Sequence, residues 1–193
     1  DRAGDLLLQI GKGWQGQGTG PTENCELNEE LKILRDLLED GLFSDEKKTL
    51  SVHLCEDPTT IAAPAAIVRQ IVINLVRNAA ECLDECVGEG NAKHEIKSGE
   101  VTIRTVAPVW QGGRKWVELE VSDTGGGLAP DIQKHLFSPV KSTKGRGHGG
   151  LGLSVVKQLT DDMEGIINCH TGGAGTAFRV LLPMADSKDT TGD

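Results

Sequence analysis

The sequence lacks tyrosine altogether and carries only three Trp and three Phe in 193 residues. Stacking platforms for single-stranded nucleic acid are therefore not expected. Positive charge is in the minority, with 20 Lys and Arg against 29 Asp and Glu and a formal net charge of −9. That balance argues against binding nucleic acid or anionic membranes through bulk charge. No apolar run reaches the ~18 residues that a membrane span requires, and no basic-then-apolar leader opens the chain. The five cysteines (Cys25, Cys55, Cys82, Cys86 and Cys169) contain no CxxC pair. They read as small buried residues of a reducing cytoplasm, not as a disulfide framework or a metal site. No GxxxxGK[ST] string is present, which excludes a P-loop.

What the sequence has is a 37% hydrophobic content, enough for a real core, and 25 glycines, about twice the usual share. The chain opens at Asp1, and it is expected to be a fragment of something longer. Residues 1–24 are read as an arm or linker, residues 25–184 as one domain, and residues 185–193 as a disordered tail.

Within the domain, Leu27, Leu31, Leu34, Leu38 and Leu42 recur at helical spacing, and Gly41 is a stop signal. Residues 49–55 alternate as a strand. The longest helical pattern runs from about Pro64 to Cys86, with a broad apolar face and a polar stripe of Asn74, Asn78, Glu81 and Glu85. Residues 87–99 read as a polar loop. Strands at about 100–109 and 115–122, joined by Gln111-Gly112-Gly113-Arg114, form a hairpin. Residues 123–150 are rich in Gly, Lys, Ser and Thr, and such a length between strand and helix points to function. A helix at about 150–162 and strands at about 165–171 and 176–182 complete the pattern. It predicts an α+β fold: a mixed, mostly antiparallel sheet of about five strands, covered on one face by about three helices.

Three segments carry chemistry. Asn74 and Asn78 place two amides on one turn of an apolar helix. A buried amide costs roughly 1–3 kcal/mol unless it finds a partner, and its carbonyl oxygen suits Mg²⁺; a solvated face with incidental Asn is the plainer reading. Asp123 stands at the end of a strand, before Gly125, Gly126 and Gly127. A carboxylate there can accept from an exocyclic amine, and the glycines admit a flat ring; an Asp-capped glycine turn is the alternative. From Lys141 to Leu153, glycines open a helix whose exposed N–H groups form an anion site, with Lys141, Lys144 and Arg146 adding charge. The string Gly145-x-Gly147-x-x-Gly150 is a weak dinucleotide fingerprint, because no strand precedes it.

Taken in order, these segments resemble the N, G1, F and G2 boxes of the ATP-binding domain of sensor histidine kinases. That family belongs to the gyrase, heat-shock chaperone, histidine kinase and mismatch-repair ATPase superfamily. The matching residues are Asn74 to Glu81, Asp123 to Leu128, Leu136 to Lys144 (with Phe137), and Gly147 to Leu153, followed by Gly175-Thr176-Ala177-Phe178. The resemblance implies the two-layer sandwich known as the Bergerat fold, with ATP and Mg²⁺ as cofactors. It implies that Asn78 holds the metal and Asp123 the adenine amino group. Gly125, Gly127, Leu128 and Thr176 then shape the purine pocket. Arg77 and Glu81 become phosphate and supporting partners, and Lys141, Ser142, Thr143 and Lys144 a lid. Gly147, His148, Gly149, Gly150, Leu151 and Gly152 become the phosphate cradle. Asn74 and Lys144 are the residues expected to act in catalysis.

Two departures bear on the reaction. ATP-hydrolysing relatives have a water-activating Glu four positions before the metal-binding Asn, where this chain has Asn74, which cannot act as a base. His148-Gly149-Gly150 stands where many relatives have a tighter Gly-x-Gly. Of His53, His94, His135, His148 and His170, none sits in a phosphoacceptor setting before Asn74. The implied function is transfer of the ATP γ-phosphate to a His outside this chain, on the same protein or a partner, and from there to a response regulator. It takes place in the cytoplasm, without nucleic acid or membrane contact by this segment. The alternatives are a serine kinase of the anti-sigma-factor type and a nucleotide-gated interaction module.

Overall fold

The leucine spacing that opens the domain becomes a helix, α1 (Leu27–Leu42), whose Leu27, Leu31, Leu34 and Leu38 are fully buried. It passes through Gly41 rather than stopping there. The computed structural model describes residues 23–44, 46–86, 98–138 and 152–185. The sequence-read linker up to residue 22, most of the 87–99 loop and the tail from 186 lie outside the described residues.

A two-residue strand, β1 (Cys25–Glu26), precedes α1 and pairs antiparallel with an equally short β3 (Thr60–Ile61). This ribbon caps α1 from a distance. The Leu27 N–H donates to Thr59 O at 3.2 Å and the Asn28 N–H to Thr59 Oγ1 at 3.0 Å, which satisfies donors that a helix start leaves open. Asn28 is itself buried. Its Nδ2 donates to Cys55 O at 2.9 Å, and its Oδ1 accepts from Thr105 Oγ1 at 2.9 Å. The same Thr105 hydroxyl accepts the Cys55 N–H at 2.9 Å. Removing one member leaves buried partners unpaired, so Asn28→Ala should lower stability by about 2–3 kcal/mol. Urea unfolding checks this, and an unchanged midpoint would contradict it.

The main sheet has the order β2 (Lys48–His53), β4 (Gly99–Gln111), β5 (Arg114–Asp123), β7 (Gly175–Pro183), β6 (Ile166–Gly172). The β2–β4 pair is parallel and the other three pairs are antiparallel. Along β4, β5 and β7, Val101, Ile103, Val117, Leu119, Val121, Phe178, Val180 and Leu182 are buried while the alternate positions, Pro183 excepted, are half-buried or exposed. One face therefore carries the core and the other is polar. The β4–β5 strands run past the sequence-read boundaries to a two-residue turn in which Gly112 and Gly113 have φ of 61° and 82°. Positive φ at both central residues suits the right-handed twist of a hairpin.

The core face is covered by α1, by α2 (Ala65–Cys86, 22 residues) and by α4 (Gly152–Asp162). A four-residue helix, α3 (Pro130–Gln133), lies within the glycine-rich stretch and is too short to show a period. The sheet and its helices match the expected α+β sandwich. At the end of the domain, Met184 bridges to Ile61 and the Ala185 N–H donates to Thr60 O at 3.0 Å.

Candidate functional site

Helix α2 forms one side of the site. Asn74, Asn78, Cys82 and Cys86 follow one another at steps of four, so they climb one face at about 6 Å per step. The lower end of this ladder meets the first residue of α4. A Cβ on Gly152 would stand 3.5 Å from Asn74 Oδ1 and 3.7 Å from Asn78 Oδ1. The absent side chain lets the α4 N-terminus, with its unsatisfied N–H groups and positive end, approach both amides. Asn74 Nδ2 donates back to Gln70 O at 2.9 Å. Asn78 Nδ2 is buried and has no hydrogen-bond partner among the described residues. A native fold seldom leaves such an amide orphaned, because the cost is of the order of 1–3 kcal/mol.

The upper end of the ladder meets the loop after β5. Asp123 is 8% exposed, and its Oδ1 accepts the Gly125 N–H at 2.8 Å. Burial raises its pKa above the ordinary carboxylate value, while backbone N–H groups of Gly125 and Thr176 pull the other way. Thr176 is buried directly across from Asp123 in the β5–β7 register. Gly125 packs on Cys82: a Cβ there would lie 2.8 Å from the sulfur. Gly127 has φ of 74°, and a Cβ there would fall 2.1 Å from Gly172 O. The Leu128 N–H donates to Thr171 Oγ1 at 2.8 Å, and Thr171 Oγ1 lies 3.2 Å from Thr176 Oγ1. The β5 exit, the β7 start and the β6 end are thereby tied into one wall.

Asn74, Asn78 and Gly152 therefore meet at one end of this face of α2, and Asp123, Gly125, Gly127, Leu128 and Thr176 gather at the other, where the strands end. Arg77 and Glu81 are half-buried on α2 beside the ladder. Lys141, Ser142, Thr143, Lys144, Gly147, His148, Gly149, Gly150 and Leu151 lie outside the described residues. Reading the sequence missed Cys82 and Cys86 as walls of the site, although they continue the four-residue step of Asn74 and Asn78. It also missed Thr171, for which no local signal exists. The cysteines are half-buried and unpaired, not fully buried as their residue type suggested. Among the described residues no three His, Cys, Asp or Glu side chains converge on a metal position, and no helix is long and apolar enough to cross a membrane.

Comparison with known proteins bears directly on this arrangement. The family described as "Histidine kinase-, DNA gyrase B-, and HSP90-like ATPase" matches residues 64–186. The chain belongs to this family. Named relatives are sensor kinases. The two-component sensor PprA of Pseudomonas aeruginosa is 34% identical over 79% of this chain and 16% of its own length. The sensory histidine kinase/phosphatase NtrB of Rhizobium meliloti is 30% identical over 83% of this chain and 48% of its own. The sensor histidine kinase TrcS of Mycobacterium tuberculosis is 30% identical over 97% of this chain and 34% of its own. The chain thus spans between about a sixth and about half of these relatives. Among solved structures, the catalytic domain of the histidine kinase ThkA superposes with a TM-score of 0.66 at 23% identity, over 85% of this chain and 96% of that one. Full-length ShkA in complex with AMPPNP gives a TM-score of 0.66 at 23% identity, over 96% of this chain and 35% of that one. At that identity these structures establish the fold, which is the family's ATP-binding sandwich.

Proposed function

We propose that this chain is the ATP-binding catalytic domain of a two-component sensor histidine kinase. It delivers the γ-phosphate of ATP to a His on a helical acceptor domain outside residues 1–193, from which a response regulator draws it. The observation that carries the reading is the pair of ends on α2: an orphaned amide at Asn78 facing a helix N-terminus, and a buried carboxylate at Asp123 beyond Cys82. The purine amino group meets Asp123, with Gly125, Gly127, Leu128 and Thr176 around the ring. The triphosphate meets Asn78 and the start of α4 at Gly152. The unpartnered Nδ2 donor of Asn78 fits a phosphate oxygen, and the Oδ1 of the same side chain would hold Mg²⁺, which takes few protein ligands and prefers phosphate oxygens and water. When bound, the metal supplies neutralisation of phosphate charge. The chain's own residues bind, orient and exclude water, which is most of what phosphoryl transfer asks of a protein.

Asn74 holds position beside Asn78 and cannot deprotonate water, which favours transfer over hydrolysis. Arg77 and Glu81 support the phosphates from α2. This reading gives Lys141, Ser142, Thr143 and Lys144 the role of a lid and Gly147, His148, Gly149, Gly150 and Leu151 that of phosphate contacts. The same reading assigns residues 25–184 to the catalytic domain and places it in the cytoplasm.

Calorimetric titration with ATP tests it. Binding should strengthen with Mg²⁺, and Asn78→Ala should abolish most of that gain while leaving binding without the metal within about threefold. No binding at millimolar ATP would end the reading. Labelled ATP and a candidate acceptor protein should then give an acid-labile phosphoryl group, whereas an acid-stable product would mean phosphorylation of serine.

A further inference from the structure

The turn after Asp123 leans on two sulfurs. The Gly126 N–H donates to Cys86 Sγ at 3.3 Å. Cys82 lies one helical turn before Cys86 on the same face of α2. A Cβ on Gly125 would stand 2.8 Å from Cys82 Sγ and 3.8 Å from Cys86 Sγ, so both sulfurs press on one turn. Neither thiol has a part in binding purine or phosphate as argued above. We propose that Cys82 and Cys86 form a peroxide-oxidisable thiol pair, a modification site in the purine wall, and that its disulfide displaces the Gly125–Gly126 turn and weakens nucleotide binding. The effect on nucleotide rests on the pocket reading; the thiol chemistry does not.

Cys86 is the reacting sulfur, because it ends the helix and the Gly126 N–H points at it. Burial, followed by the charge of Asp123, pushes Cys82 up to about 12. The same two causes push Cys169 up to about 11. Both therefore stay protonated at neutral pH. The Cys86 sulfur attacks one oxygen of hydrogen peroxide. An S–O bond forms, the O–O bond breaks, and the departing hydroxide takes the thiol proton and leaves as water. The Cys82 sulfur then displaces the sulfenic hydroxyl, which leaves with the Cys82 proton as a second water. Two thiols are oxidised and one peroxide is reduced.

Side chains four apart in a helix hold their Cβ atoms about 5–6 Å apart, whereas a disulfide needs roughly 3.8 Å. The last turn of α2 must open to form the bond. Cys86 is the final residue of that helix, where fraying is easiest. Opening takes Cys86 away from the Gly126 N–H. The neighbouring Gly125 N–H is bonded to Asp123 at 2.8 Å, so the displaced turn moves the purine acceptor.

The test uses the whole chain, reduced and then treated with hydrogen peroxide, followed by peptide mass spectrometry and nucleotide titration. Expected are a Cys82–Cys86 linkage and a loss of affinity of about tenfold, the order set by one charge-assisted hydrogen bond, with recovery in dithiothreitol. Cys86→Ser, whatever its own affinity, should be unmoved by peroxide, while a Cys25→Ser/Cys55→Ser chain should respond as the parent does. The proposal is overturned if no such linkage forms, if the linked chain binds as before, or if Cys86→Ser loses affinity equally. A reduced chain that binds no nucleotide defeats the pocket reading before peroxide is added, and the proposed control with it.

Discussion

An Asp123→Asn chain should bind ATP about ten- to a hundredfold more weakly, yet melt no lower than the parent at neutral pH. The first half follows from what the substitution removes. A charge-assisted hydrogen bond in a buried site is worth about 1.5–3 kcal/mol, or one to two decades of affinity. The second half follows from the raised pKa of Asp123, whose leading cause is burial. A carboxylate whose folded pKa lies above its unfolded value binds protons more readily folded than unfolded. Its ionised form therefore detracts from stability above the folded pKa, and that deficit fades as pH falls through the folded value. Asparagine keeps an oxygen to accept the Gly125 N–H and has no charge to bury. The melting advantage of Asp123→Asn should thus be largest at neutral pH and shrink just above the ordinary carboxylate range. Parallel titrations and thermal melts at two pH values check both halves. Equal ATP affinity in the two chains would place the purine elsewhere.

Gly175→Ala should give the largest loss of stability among the single-methyl changes considered, on the order of 3–5 kcal/mol. Gly175 opens β7 with φ of 128°, and a Cβ there would lie 1.9 Å from Asp123 O. Two independent costs combine: a backbone conformation open only to glycine, and a collision with backbone that cannot swing aside. The collision falls on the residue that carries the purine acceptor, so nucleotide affinity should fall in whatever fraction stays folded. In a domain of this size the melting temperature should drop by roughly 10 °C or more. Gly112→Ala separates the two costs. Its φ is 61°, but nothing lies within 4 Å of the added carbon, so its effect should stay near 1 kcal/mol. Melting curves for the pair decide the matter, and equal shifts would refute the role given to the Asp123 contact.

These two glycines show how unevenly the molecule could be read. The ladder of Asn74 and Asn78 was legible because helix geometry alone puts residues four apart on one face, and Asp123 was legible because strand and glycine signals flank it. The helical and strand periods of Leu27–Leu38 and of residues 115–122 likewise carried their own evidence. The β1–β3 ribbon carried none, since two residues make no period, and neither did the short helix at Pro130–Gln133. Alternation could not show that β2 pairs parallel to β4, because a strand alternates alike in either direction. Cys82 and Cys86 were read by residue type, which speaks for burial and says nothing of a turn arriving from 40 positions away (Gly126 to Cys86).

The sequence by itself determined the elements, their buried faces and the chemical kinds at the site: two amides on a helix, a carboxylate at a strand end, glycines at a helix start. These are local matters, set by backbone geometry and by the residue types themselves. Only the tertiary structure decided that Gly152 meets Asn74 and Asn78, that Asp123 rests against Gly125 and lies across from Thr176, and that two sulfurs brace the turn between them. Apart from the Asp123–Gly125 bond, each of those contacts joins segments far apart along the chain. They form because burying the apolar faces of α1, α2, α4 and the sheet in one core leaves a single arrangement, and that arrangement brings the polar ends together at its rim.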